Sequence, residues 1–142
     1  HKIQFEIVSG ITSGIGSATY AGIPLTHRKF ASSVVFVTGH EDSEKKKEDV
    51  RWKKLAKSTD TIVIMMGLYR IDICCKQLSS GGMDKKTPVA VIQDGTTSKQ
   101  KMITGTISNI AQNVKQSKIR PPSIIIIGKV VSLSKTIGWR KK

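Results

Sequence analysis

Thr61-Ile62-Val63-Ile64-Met65-Met66-Gly67, then the helical spacing of residues 71–78, then Pro88-Val89-Ala90-Val91-Ile92-Gln93-Asp94-Gly95, is the stretch whose reading decides the fold class. Each outer segment is a short, apolar, β-branched run that stops at a glycine turn, the pattern of a strand buried within a layered sheet. The segment between them repeats its apolar residues at helical spacing. Working outward, the same reading predicts strands at 3–8, 33–38, 101–106 and 123–127. Further helices are expected at 49–56 and 107–116, the latter with Ile107, Ile110, Ala111 and Val114 on one stripe and Thr106 or Ser108 as its cap. Strand and helix alternate. The expectation is an α/β layer fold, a mixed and mostly parallel sheet flanked by helices.

Composition fits a globular domain: 142 residues with 38% hydrophobic and 24% charged residues can bury a substantial core. No apolar run approaches the roughly 20 residues that a membrane helix needs, so a soluble chain is expected. Residues 1–8 lack an initiator Met and a signal-type apolar region, and read as a segment of something longer. Cys74 and Cys75 are adjacent, which disfavours a disulfide between them and points to a reducing, cytoplasmic setting with both thiols in a helix core. The net charge of +14 invites a polyanion partner, but the lysines and arginines are scattered and aromatics are only 5% of the chain. A base-stacking surface is therefore poorly supplied, and nucleic acid is an unlikely partner.

Residues 9–17, Ser9-Gly10-Ile11-Thr12-Ser13-Gly14-Ile15-Gly16-Ser17, form a glycine- and hydroxyl-rich turn leading toward a helix. Such turns bind ligands because helix-end N–H groups face a crevice. The spacing fails the dinucleotide fingerprint, since Thr19 stands where glycine or alanine is required, and no Walker lysine follows. Neither His27-Arg28 nor His40-Glu41-Asp42 has the spacing of a helical metal site. The glycine turns after 62–66 and 90–94 lie at strand ends, where α/β proteins commonly place their sites.

Taken in order, several of these stretches resemble one family. They are Gly10-Ile11-Thr12-Ser13, Tyr20-Ala21-Gly22-Ile23-Pro24-Leu25-Thr26-His27-Arg28, Ala31-Ser32-Ser33-Val34 and Phe36-Val37-Thr38-Gly39-His40. Met66-Gly67, Thr87-Pro88-Val89-Ala90-Val91-Ile92-Gln93, Gly95-Thr96-Thr97-Ser98-Lys99-Gln100 and Gly128-Lys129-Val130-Val131-Ser132-Leu133 follow. The series is similar to the uroporphyrinogen-III C-methyltransferases of the tetrapyrrole methylase family, across essentially the whole chain. That resemblance implies a two-domain α/β enzyme, with residues 1–30 ending the first domain and its connection and 31–142 forming the C-terminal domain. It also implies S-adenosyl-L-methionine as methyl donor, no metal, a cytoplasmic homodimer, and C-methylation of uroporphyrinogen III to precorrin-2 for sirohaem and corrinoid synthesis.

Carried over by motif, Thr12, Ser13, Met66, Ala90, Gly95 and Thr96 meet the cofactor, and His27, Arg28 and Met66 face the tetrapyrrole. No catalytic base is assigned. The chain departs from the family pattern at Ser9, Asp94 and Lys129. On this likeness the positive charge steers a polycarboxylate substrate. The alternatives are a related precorrin methyltransferase or a basic α/β module for nucleic acid or another polyanion, the latter favoured if the lysines gather on one face away from the Met66 and Ala90 turns.

Overall fold

A computed structural model describes residues 2–39 and 50–139. The chain forms an open five-stranded sheet built from β1 (Val34–Thr38), β2 (Thr61–Met65), β3 (Pro88–Gln93), β4 (Lys101–Thr106) and β5 (Ser123–Ile127), in spatial order β1-β2-β5-β3-β4. The helices are α1 (Ser13–Tyr20), α2 (Trp52–Ser58), α3 (Ile71–Ser80), α4 (Ile110–Gln116) and the short α5 (Ser134–Ile137). Among the described residues no helix is long and apolar enough to cross a membrane.

The three central strands read as continuous apolar runs because both faces of the sheet are covered, and alternation divides their side chains between two layers. Ile62, Ile64, Val89, Val91, Ile125 and Ile127 pack against Trp52, Ile71, Cys74, Cys75, Leu78, Ile107 and Ile110 of the α2–α4 side. Val63, Ala90, Ile92, Ile124 and Ile126 point the other way, toward Ala18, Ala21, Ile23, Ala31, Val130 and Val131. The edge strand β4 carries exposed Lys101 and Thr104, the polar dressing that discourages edge-to-edge pairing. Cys74 and Cys75 are buried in α3 and form no disulfide.

The mixed α/β class stands, but the sheet is less parallel than the sequence suggests. Only β1 and β2 pair in parallel, while β2 with β5, β5 with β3, and β3 with β4 are antiparallel. The reason is connection length: residues 94–100 between β3 and β4 are too few for a crossover of about a dozen residues, so the chain must turn back as a hairpin. β5 then returns between β2 and β3.

Three local expectations also change. Residues 3–8 form no strand, because alternation becomes a ladder only where a neighbouring strand exists; Ile3, Phe5, Ile7 and Val8 stand exposed instead. The fourth helix starts later than expected, after Asn109, whose Oδ1 accepts the Thr106 N–H at 2.7 Å. Thr106 and Ser108, the expected caps, hydrogen-bond each other at 2.8 Å. The second helix runs over Trp52–Ser58; Asp49, His40-Glu41-Asp42, Lys45-Lys46-Lys47 and Arg140-Lys141-Lys142 lie outside the described residues.

The amino ends of β1 and β2 are tied by Asp60. Its Oδ2 accepts the N–H groups of Ser32 and Ser33 at 2.8 and 3.1 Å and the Ser33 hydroxyl at 3.0 Å. The Ser32 N–H, then the Ser33 hydroxyl and N–H, hold the carboxyl below its ordinary range.

Candidate functional site

The carboxyl ends of β2 and β3 meet the start of the antiparallel β5, whose preceding segment arrives from the opposite direction. Between them opens a cavity of about 790 Å³, walled by Met65, Met66 and Leu68 on one side and by Ile92 and Ile124 on another. Ser13 and Ser17 of α1, Asp94, Gly95 and Thr97 of the β3–β4 loop, Ser123 and Tyr69 complete it. The surface is largely apolar with a few hydroxyls and one carboxylate. That combination suits a flat organic ligand with a small number of polar contacts, and the volume falls within the roughly 300–1,000 Å³ typical of small-molecule sites.

Each wall is fixed by local sequence. The helix α1 begins at Ser13 because Thr12 is extended and its carbonyl accepts the N–H groups of Ile15 and Gly16, both at 3.0 Å. Its first N–H groups therefore lack intrahelical acceptors and lie beside the cavity. The β3–β4 loop is braced from within: the Thr97 hydroxyl donates to the Asp94 carbonyl at 2.8 Å, and the Thr96 N–H donates to Gln100 Oε1 at 2.8 Å. Buried Gln93 ties this loop to the segment before β5, its amide donating to Asp94 Oδ2 at 2.8 Å and its Oε1 accepting the Arg120 N–H at 3.0 Å. The Asp94 N–H donates to the Pro122 carbonyl at 3.1 Å.

Of the residues singled out by sequence, Ser13, Met66 and Gly95 line this cavity together. Thr12 and Thr96 are exposed beside it, at the start of α1 and in the β3–β4 loop. Ala90 lies deeper, wholly buried in mid-β3 beneath the α1 layer, in register with Thr104 on one side and Ile126 on the other. His27 and Arg28 do not line it. They stand on the segment that leads to the amino end of β1, in a turn closed by His27 and Ala31 through N–H to carbonyl bonds of 2.8 and 2.9 Å. His27 is half-buried against the Phe30 ring at 5.0 Å, and Arg28 is exposed.

Sequence reading missed Ser17, Tyr69, Thr97, Ser123 and the Pro121-Pro122 pair. Ser17 follows Ser13 by one helical turn, a spacing that signals a shared face. Tyr69 and Thr97 follow the ends of β2 and β3 directly, whereas Pro121, Pro122 and Ser123 become visible only once β5 is known to be antiparallel, which brings its first residue to the same end as the last residues of β2 and β3.

A family model for Tetrapyrrole (Corrin/Porphyrin) Methylases matches residues 1–111. The chain belongs to the tetrapyrrole methylase family. It is 45% identical to a siroheme synthase of Nitrosomonas eutropha, over 98% of this chain and 29% of that protein. It is 46% identical to the uroporphyrinogen-III C-methyltransferase of Priestia megaterium, over 93% of this chain and 55% of that protein. The chain thus spans about a third to a half of these curated relatives. Its fold is similar to the uroporphyrin-III C-methyl transferase of Thermus thermophilus complexed with S-adenosyl homocysteine, with a TM-score of 0.74 and 28% identity, over 90% of this chain and 54% of that one.

The exposed lysines of this methylase-family chain are divided between the layers. Lys53, Lys54, Lys57, Lys76 and Lys115 stand on the α2–α4 layer, while Lys129 and Lys135 stand on the other side and Lys101 on the β4 edge.

Proposed function

We propose that the protein carrying this chain transfers methyl groups from S-adenosyl-L-methionine to ring carbons of uroporphyrinogen III, giving precorrin-2, and that this chain supplies one wall of the cofactor site. The observation that supports this reading most is the apolar cavity where Ser13, Met66 and Gly95 meet, in a fold similar to a methyltransferase complexed with S-adenosyl homocysteine. The donor set fits the cofactor: apolar walls for the purine and for the methylenes beside its sulfur, with hydroxyls and helix-end N–H groups for its polar parts.

When bound, the cofactor supplies an electrophilic methyl group on a sulfonium. The electron-rich pyrrole carbon would attack that methyl as its bond to sulfur breaks, releasing S-adenosylhomocysteine, and a base would remove a proton afterwards, so the main task of the residues is to orient and to exclude water. Met66, at the end of β2 and 67% exposed, stands where cofactor and tetrapyrrole meet on this reading. Ser13 and the loop of Gly95 and Thr96 hold the cofactor side. Arg28, with an exposed guanidinium, pairs with a substrate carboxylate through its planar fork, and His27 lies next to it. The surplus of cations steers the polycarboxylate inward.

The reading extends to the remainder of the molecule. Residues 1–30 finish a preceding domain and 31–142 form the second, which gives the exposed Ile3, Phe5, Ile7 and Val8 something to pack against. A homodimer and a cytoplasmic setting belong to the same proposal, the latter supported by two cysteines that form no disulfide. The test is direct: the full-length protein is incubated with uroporphyrinogen III and S-adenosyl-L-methionine, and the product is weighed by mass spectrometry. Gain of two methyl groups is expected; an unmodified tetrapyrrole together with no affinity for S-adenosylhomocysteine refutes the proposal.

A further inference from the structure

Among the described residues a single charged side chain lines the cavity, that of Asp94; the rest of the wall is apolar, hydroxylic or glycine. Asp94 is half-buried just past β3, in left-handed backbone with φ 48°, and its N–H donates to the Pro122 carbonyl at 3.1 Å. Buried Gln93 fixes one carboxylate oxygen, its amide donating to Oδ2 at 2.8 Å while its own Oε1 accepts the Arg120 N–H at 3.0 Å. The other oxygen, Oδ1, accepts no hydrogen bond from the described residues and is not shut off from solvent. No lysine or arginine among them pairs with the group. Its negative charge is thus left uncompensated at the cavity wall. Charge, unlike a hydrogen bond, acts without contact, and between apolar walls the field of a carboxylate reaches several ångströms.

The rest of the chain biases the cavity in the opposite direction. The net charge is +14, and the first N–H groups of α1, without intrahelical acceptors, lie beside the same space. Both features favour anions, so a cationic ligand needs a counter-charge, and Asp94 is the lining residue of this chain that supplies it. The two forms of the cofactor differ in this property. S-adenosyl-L-methionine carries a positive sulfonium, whereas loss of the methyl leaves the bonding pair on sulfur and makes S-adenosylhomocysteine a neutral thioether. We infer that Asp94 is a specificity-determining residue of this cavity, its carboxylate favouring the charged methyl donor over the demethylated product. The inference rests on the cofactor reading given above. Its consequence for turnover is that the attraction ends when the methyl leaves, which aids release of the product.

The experiment compares the full-length protein with its Asp94→Asn and Asp94→Glu variants. Asparagine tolerates left-handed backbone and keeps an oxygen for the Gln93 amide, so Asp94→Asn removes the charge and little else. Calorimetry without tetrapyrrole measures the affinity for S-adenosyl-L-methionine and, separately, for S-adenosylhomocysteine, and each protein is melted without ligand. Asp94→Asn is expected to weaken S-adenosyl-L-methionine about 3-fold to 30-fold, the effect of one carboxylate on a unit charge in partly solvated protein. S-adenosylhomocysteine should stay within about twofold and the melt should not move, while Asp94→Glu should keep the preference for the charged form. A damaged loop would weaken both forms together, so the ratio of the two affinities isolates the charge. Equal weakening of both forms overturns the inference, by assigning the carboxylate to a group they share or to the shape of the loop. Unchanged affinity for both, or an Asp94→Glu protein as indifferent to charge as Asp94→Asn, also overturns it, and in each of these cases the cofactor reading stands. If the parent binds neither form, the cofactor reading falls and takes this inference with it.

Discussion

Gly95→Ala probes whether the loop after β3 and the helix α1 form one packed unit at the cavity rim. A Cβ built on Gly95 overlaps the Ser17 hydroxyl and lies 2.7 Å from Ser17 Cβ and 3.1 Å from its Cα. A new rotamer at Ser17 relieves the oxygen contact only; the contact with Cβ persists, so either the loop or the helix backbone must shift. The helix has little room, because even a Cβ added at its Gly14 would lie 2.7 Å from Phe36 and 3.1 Å from Val63 on the sheet. Overpacking of this kind costs about 1–3 kcal/mol. At this chain length each kcal/mol is roughly 3–4 °C of melting temperature, so a drop of about 3–12 °C is expected. Gly95 and Ser17 both line the cavity, and S-adenosylhomocysteine affinity should fall at least about tenfold with the displaced rim. Adding Ser17→Gly removes both clashing atoms. The double variant should recover part of the loss even though a helical glycine itself costs about 1 kcal/mol, which makes the pair non-additive. Melting and titration of the four proteins read this out. A Gly95→Ala protein that melts within 1 °C of the parent and binds normally, or a double variant no better than the sum of the singles, refutes the reasoning.

Three further outcomes follow from the same geometry. Asp60 has a lowered carboxyl pKa in the fold, so its contribution is fully present above the unfolded value near 3.9 and is lost as pH falls through the folded one; the stability difference between parent and Asp60→Asn should be constant near neutrality and shrink below about pH 4, and a gap that persists in urea melts at low pH contradicts this. Burial, then Cys74 and Asp72, pushes the Cys75 thiol up to about 12, so at pH 8 its reaction with a soluble disulfide reagent should be about 1000-fold slower than a free thiol's and should recover in denaturant; rapid labelling of Cys75 in the folded protein, mapped by mass spectrometry, counts against this core placement. Arg28→Ala in the full-length enzyme should lower kcat/KM about 30-fold to 1000-fold with the cofactor affinity and the melt unchanged, and Arg28→Lys should restore little; a large fall in melting temperature or in cofactor affinity assigns Arg28 a different role.

The fold was legible in sequence wherever a segment satisfied its own pattern. The runs at 61–65, 88–93 and 123–127 announce strands because both of their faces are buried, and Ile71 to Ser80 announces a helix because one stripe is. Direction was not legible, since a strand's side chains alternate alike whichever way it runs; only the shortness of residues 94–100 carried that information. The segment 3–8 shows the converse limit. Its alternation is real, yet pairing is a property of two strands, and one alone stays extended and exposed. For the site, chain order pointed to the glycine turns at the strand ends, while Ser13, Met66 and Gly95 were named through the family resemblance. Ser123 could not be named, because its place depends on an antiparallel return from 30 residues away in the β3–β4 hairpin's wake, and Gln93 reads as one more strand residue until its partners Asp94 and Arg120 are seen.

The glycines at the cavity illustrate how space can outrank backbone freedom. Met66, Asp94 and Thr96 adopt left-handed φ values of 55°, 48° and 71°, a region where glycine is the easy choice and a β-branched residue such as Thr96 the hardest. Yet the glycines stand at the neighbouring positions, 67 and 95, and neither has positive φ. At 67 a Cβ would lie 2.6 Å from Ile64 Cγ2, and at 95 it would meet Ser17. Glycine is therefore spent where no side chain fits, and the left-handed turns fall to residues whose side chains or carbonyls are needed. The strain this stores, about 1–3 kcal/mol for each residue in a sparsely populated region, persists only where surroundings over-determine the backbone. Here they do: Asp94 is held by the Pro122 carbonyl and the Gln93 amide, and Thr96 by Gln100. Met66 follows a residue whose carbonyl accepts the Gly39 N–H at 2.7 Å. Three strained residues at one rim, each braced by contacts from a different segment, mark the carboxyl end of this sheet as the part of the molecule whose backbone shape matters beyond stability.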